Sequence, residues 1–167
     1  DAMHVLRAEK GYIVVGQETD GTVIPEDLGL GHMLSARKRD FVGKRSLDRP
    51  DMCRTDRLQL VGLLPGDAAT VLPEGAQVTD QGRSPALGHV TSAYYSATLD
   101  RGFALALISG GRARIGETLH VPLLHGMAED EVQEGRRRCL RIGERGRRKA
   151  GHHPCDRLLR AQSQREG

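Results

Sequence analysis

The sequence predicts an α+β fold in which a short helix-led segment precedes a small antiparallel β-barrel. Residues 2–10 place Met3, Val5 and Leu6 ahead of Gly11, which suits a short helix and its stop. Beyond Pro50, five strand-like segments follow between Gly, Pro and Asp turns at roughly 12–16-residue spacing, the cadence of a barrel or sandwich. The apolar fraction is 38% with 3% aromatic and no Trp, so the core must be aliphatic and modest.

After the helix, "GYIVVG" (11–16) is a β-branched run between glycines and predicts a short buried strand. Gln17 to Pro25 is polar and turn-rich. Pro25 stands at a first helical position, with Glu26 and Asp27 where acids suit a helix N-terminus. Residues 35–51 are charged and carry only two apolar anchors, Phe41-Val42 and Leu47; Pro50 is the clearest boundary in the chain. The five segments beyond it are "RLQLVGLL", "EGAQVTD", "ALGHVTSAYYSATL", "RGFALALISGG" and "RIGETLHVPLL". The organisation is therefore 1–50, 51–125 as the barrel, and 126–167 as a basic tail. The tail has no sustained periodicity and too little apolar surface to offset its ordering entropy, which predicts loose packing or disorder.

The net charge of +3 divides unevenly. Residues 136–167 hold eleven Lys/Arg and three Asp/Glu, and the remainder holds fourteen and nineteen, so a mildly acidic body carries a strongly basic end. That end could meet phosphate backbones non-specifically, but it lacks the interleaved aromatics of a base-stacking platform. No apolar run is long enough for a membrane span. Asp1-Ala2-Met3-His4 does not read as a charged-then-apolar leader, which argues against a secretory signal, and three widely spaced cysteines, Cys53, Cys139 and Cys155, suit a reducing compartment better than a disulfide framework. A cytoplasmic location is the expectation.

Few residues offer chemistry. Arg7 is either a solvated surface arginine, which spacing alone favours, or a planar fork that clamps a carboxylate or ring carbonyl. It does not pair with Glu9, two residues away on the helix. On the "GHVTSAYYS" strand, alternation puts His89, Thr91, Ala93 and Tyr95 on one face and Val90, Ser92 and Tyr94 on the other. One of Tyr94 and Tyr95 then packs inward while the other faces a cleft, where its ring could stack on a planar ligand. His89 has no nucleophile beside it. "GLGHM" and "SGGRARIG" lack the spacing of a phosphate loop and read as turns. Cys139, His152, His153 and Cys155 lack the short cysteine knuckle of a zinc site, so no metal ligand and no catalytic residue is assigned.

Taken together, Arg7-x-Glu9-x-Gly11, the apolar run, Gly16 and Asp20, Pro25 before Gly29–Gly31, and Asp40-Phe41-Val42-Gly43-Lys44-Arg45-Ser46-Leu47 resemble one family. It is the folate-binding aminomethyltransferase group, which includes the glycine-cleavage T-protein and the sarcosine and dimethylglycine oxidases. The barrel segments follow that family's order over about residues 1–124. Within it, the resemblance runs to the C-terminal part of the alpha subunit of heterotetrameric sarcosine oxidase. It implies that 1–50 end a folate-binding aminomethyltransferase domain and that the chain is a fragment beginning mid-protein. Residues from about 127–136 onward are then expected to be an out-of-frame product.

The resemblance further implies tetrahydrofolate binding through Arg7, with Tyr94 or Tyr95 nearby. The folate would accept the one-carbon unit when sarcosine is oxidatively demethylated to glycine, hydrogen peroxide and 5,10-methylenetetrahydrofolate. Such an assembly is an oxidoreductase acting on CH–NH donors, and this chain alone is expected to be inactive. FAD, FMN and NAD belong elsewhere in the assembly. The implied partners are the beta, gamma and delta subunits and folate, with no membrane and no specific nucleic acid. A glycine-cleavage-type aminomethyltransferase fragment and a basic-tailed nucleic-acid-binding protein are the alternatives.

Overall fold

The computed structural model describes residues 2–35, 37–80 and 85–122, together with the backbone of 138–143. The first helix, α1, spans Ala2–Glu9. Gly11 stops it at φ 70°, a conformation that favours glycine, and its N–H bonds the Ala8 carbonyl at 2.8 Å. Ala8 is buried, while Met3 and Leu6 stay exposed.

The expected strand over 11–16 does not form. A single bridge joins Val15 to Thr19, Tyr12 and Val15 are 60% and 85% exposed, and Ile13 alone packs inward. The backbone instead turns at Gly16, φ 95°, and the Gln17 and Glu18 N–H groups bond the Val14 carbonyl. A β-branched run becomes a strand only where an edge is offered to it, and the neighbouring β3 is already paired on both sides, with β2 and β4. Pro25 likewise opens a run of turns rather than an α-helix, leading to a 3-10 turn at Gly31–Met33. One helical turn, α2 (Lys44–Leu47), follows. Phe41 and Leu47 are half-buried, but Val42, expected as an anchor, is fully exposed.

All five expected barrel strands form: β1 (Leu58–Pro65), β2 (Gln77–Val78), β3 (Gly88–Ser96), β4 (Arg101–Ser109) and β5 (Thr118–Val121). A sixth, β6 (Arg138–Gly143), lies inside the segment assigned to the basic tail. The short alternation of Leu140 and Ile142 was too brief to stand out among arginines. Its place is set by two neighbours, since it pairs antiparallel with both β1 and β5. The rest of 126–167 lies outside the described residues.

The sheet order is β2-β3-β4-β1-β6-β5, with every pair antiparallel. Its two edges meet where Thr79 and His120 exchange N–H···O bonds of 2.8 and 2.9 Å, closing the sheet into a barrel. Small residues fill the interior: Ala93, Ala104 and Ala106 sit with Val61, Leu63, Val90, Ile108, Leu119 and Val121. Outside, Phe103, Leu105 and Leu107 of β4 pack with Leu60 against Ala8 and Leu28 of the N-terminal segment. Strand β4 is thus buried on both faces, which is why it reads as an unbroken apolar run.

Strand β3 corrects the simple alternation. Its register with β4 shifts between Val90 and Ser92, a bulge at Thr91. Val90 and Ala93 therefore both line the barrel interior, while Thr91, Ser92 and Tyr94 all meet the N-terminal segment outside it. Cys53 is disulfide-bonded, against the expectation of reduced cysteines; an odd count of three leaves room for one pair. Among the described residues, no helix is long and apolar enough to cross a membrane.

Candidate functional site

The site grows from the β3 bulge. By placing two successive side chains on one face, it aims the Thr91 and Ser92 hydroxyls at the same carboxylate oxygen, Oε1 of Glu18. The other oxygen, Oε2, accepts the Val14 N–H at 2.7 Å and pairs with Arg7 Nη1 at 3.0 Å. Glu18 is fully buried and the Arg7 side chain is 11% exposed, so this is an interior ion pair; both Glu18 oxygens and both Arg7 Nη atoms have hydrogen-bond partners, whereas the buried Arg7 Nε has none. Burial pushes the Glu18 carboxyl up, but the bonds from Ser92, the Val14 N–H and Arg7 outweigh it and hold it below the usual glutamate range. Burial likewise opposes the Arg7 charge, and Glu18 and Tyr94 together more than restore it.

Helix α1 carries Arg7 to this point. Its Nη1 also donates to the Tyr12 carbonyl at 3.2 Å. Its Nη2 faces three acceptors: Ser92 Oγ at 2.8 Å, Gln17 Oε1 at 3.0 Å and Tyr94 Oη at 3.1 Å. The guanidinium also lies 5.7 Å from the centre of the Tyr94 ring, within cation–π range. That ring is stacked with His4 and tilted against Phe103.

Of the residues singled out from sequence, the fold brings Arg7 and Tyr94 together. Tyr95, next along β3, stands apart: it is 44% exposed and donates to Asp100 Oδ1 at 2.6 Å. That bond to a carboxylate raises its phenol pKa. Glu9 accepts from Ser96 Oγ at 2.6 Å and serves the attachment of α1 to β3. Asp20, the acid noted in the family pattern, makes a local turn with Thr22. The acid that meets Arg7 is Glu18, which sequence reasoning missed although Glu18 stands two residues after Gly16 and Asp20 stands four after it.

A second buried pair anchors the same segment. Arg57, just before β1, bonds Asp27 through Nε (3.1 Å to each oxygen) and Nη2 (2.7 Å), and reaches the Thr22 carbonyl at 2.7 Å. The Leu60 N–H adds a bond of 2.8 Å to the Asp27 carbonyl. The N-terminal segment is thus fastened to the barrel at Glu18–β3 and at Asp27–β1.

A six-stranded closed barrel flanked by this segment defines a class. Residues 59–134 match the glycine cleavage T-protein C-terminal barrel domain, so this barrel is a domain of that kind. Among individual proteins, the chain is similar to the sarcosine oxidase alpha subunits. It is 54% identical over 129 residues to that of Corynebacterium sp. (strain P-1), covering 74% of this chain and 13% of the relative. With the subunit of Rhizobium meliloti (strain 1021) it is 43% identical over 131 residues, 75% of this chain and 13% of that one. The chain therefore spans about an eighth of the length of these relatives. An aminomethyltransferase of Nitrosomonas europaea is 36% identical over 121 residues, 72% of this chain and 32% of its own. The fold is that of the glycine cleavage system aminomethyltransferase T from Bartonella henselae: the TM-score is 0.70 at 20% identity, over 86% of this chain and 37% of that one.

Proposed function

We propose that this chain is the C-terminal part of a sarcosine oxidase alpha subunit, and that α1, the 11–18 turn and β3 form one wall of a tetrahydrofolate site. The observation that carries the folate reading is the Arg7 fork. Its Nη2 holds two hydrogens but faces three acceptors, so one contact is exchangeable for an acceptor atom of a ligand without loss of a hydrogen bond. Tetrahydrofolate fits that offer, since its ring carbonyl and carboxylates are acceptors and its ring is planar enough to lie near Tyr94. Tyr95, turned toward Asp100, is not part of this wall.

When bound, the folate supplies the acceptor for the one-carbon unit released from sarcosine in the assembly. This chain's residues bind and orient it: Arg7 donates, Tyr94 offers a ring face, and Glu18 keeps the guanidinium in place. Flavin and nicotinamide chemistry, and the beta, gamma and delta subunits, belong to the rest of the assembly, so the chain alone does not oxidise sarcosine. The lower identity to aminomethyltransferases, 36% against 54%, ranks the glycine-cleavage-type reading second.

Thermal unfolding of the full chain with 5-formyltetrahydrofolate tests the proposal. Saturation to a hundred times Kd adds about 2.7 kcal/mol and raises Tm by several degrees. An unmoved Tm at millimolar folate, with a rise on adding duplex DNA, would replace this reading by nucleic-acid binding through the basic end.

A further inference from the structure

Resting on the folate reading, we infer that Glu18 is the positioning residue of the site and that Gln17 is a stand-in for the ligand on Arg7. The two adjacent side chains grip one guanidinium at opposite ends, and their surroundings differ. Glu18 is fully buried, and each of its oxygens meets two groups: Thr91 and Ser92 of β3 on Oε1, the Val14 N–H and Arg7 of α1 on Oε2. A carboxylate so held has no second position, and it fixes the plane of the fork against the barrel wall. Gln17 is only half-buried, and its Oε1 makes one contact, at 3.0 Å, with Arg7 Nη2. It is a neutral amide carbonyl on the over-subscribed side of the fork. An amide oxygen has the chemistry of a ring-lactam carbonyl, so a ligand presenting one takes over that contact as the Gln17 side chain swings out. Ser92 cannot be displaced in this way, because it is buried and also donates to Glu18.

Substitutions at the two positions then act in opposite directions. Removing the stand-in, Gln17→Ala, strengthens binding of 5-formyltetrahydrofolate to the full chain several-fold, because the competing contact is gone. Glu18→Gln weakens it about tenfold, the factor for one hydrogen bond's net worth. Glu18→Asp keeps the charge but withdraws it by one methylene; it acts in the same direction and covers the case in which Glu18→Gln fails to fold. A second readout needs no ligand. In the free protein the Arg7 Hη protons give separate NMR signals because rotation of the fork is blocked. These signals merge in Glu18→Gln or Glu18→Asp and persist in Gln17→Ala. Folate binding unchanged in a folded Glu18 variant, or separate Hη signals retained there, overturns the positioning role. Weaker binding in Gln17→Ala overturns the stand-in. Absence of folate binding by the unsubstituted chain removes the folate reading and the stand-in together, while the NMR arm still decides whether Glu18 holds Arg7.

Discussion

Replacing Arg57 with Met should loosen the N-terminal segment from the barrel at a cost that its contacts allow to be set. The side chain is 14% exposed and that of Asp27 is 4% exposed, so the pair is buried. The substitution keeps most of the apolar stem but removes three bonds to Asp27, one to the Thr22 carbonyl and one to the Asp51 carbonyl. Asp27 is then left with the Ile24 N–H, at 3.1 Å, as its remaining hydrogen-bond donor. An uncompensated buried carboxylate of this kind costs about 3–5 kcal/mol. The double substitution Arg57→Met/Asp27→Asn relieves the stranded charge and should cost less than Arg57→Met alone. Urea unfolding followed by circular dichroism measures both, and trypsin cleavage within 37–49 reports whether the segment releases before the barrel. A loss under 1 kcal/mol for Arg57→Met, or a double variant less stable than the single, would refute the role assigned to the pair.

Further predictions concern packing and pH. At Gly102 a methyl group would stand 1.8 Å from the Thr70 carbonyl oxygen, a clash between two backbones. Gly102→Ala should therefore lower stability by about 3 kcal/mol or more in the same urea assay, at the upper end for overpacking. The Glu18 pKa is lowered on folding, so its contribution is present above the unfolded glutamate value of about 4.3 and is lost as pH falls through the folded value. The stability difference between the unsubstituted chain and Glu18→Gln should accordingly shrink on acidification, and one that grows would contradict the ion pair. The Tyr95 phenol is raised by its bond to Asp100. In Asp100→Asn, tyrosinate absorbance should rise at lower pH than in the parent, and an unchanged titration would deny that bond.

The barrel was largely legible because its signals are local. In β4, Phe103, Leu105 and Leu107 alternate with Ala104, Ala106 and Ile108, and both sets are buried, so the segment reads as a strand whatever surrounds it. The failures occurred where structure depends on a distant partner. "GYIVVG" has strand composition but no edge to join, and Val15 ends exposed. The bulge at Thr91 arises in the register between β3 and β4, and a single strand's alternation does not reveal it. Strand β6 has only Leu140 and Ile142 as signal and owes its place to β1 and β5 on either side. The candidate site was half legible. Arg7 stood out through the family resemblance, with Tyr94 and Tyr95 left as alternatives, but Glu18 meets Ser92 across 74 residues of chain, a pairing that no local pattern encodes.

The most direct test of the proposed function is calorimetric titration of the full chain with 5-formyltetrahydrofolate, repeated with Arg7→Lys. Lysine keeps the positive charge beside Glu18 but has no planar fork with which to serve Nη1 and Nη2 partners together. The proposal predicts one saturable site per chain, and an affinity at least about tenfold lower in the folded variant. Equal affinities would remove Arg7 from the site, and no binding to the folded parent would show that this chain does not by itself hold folate.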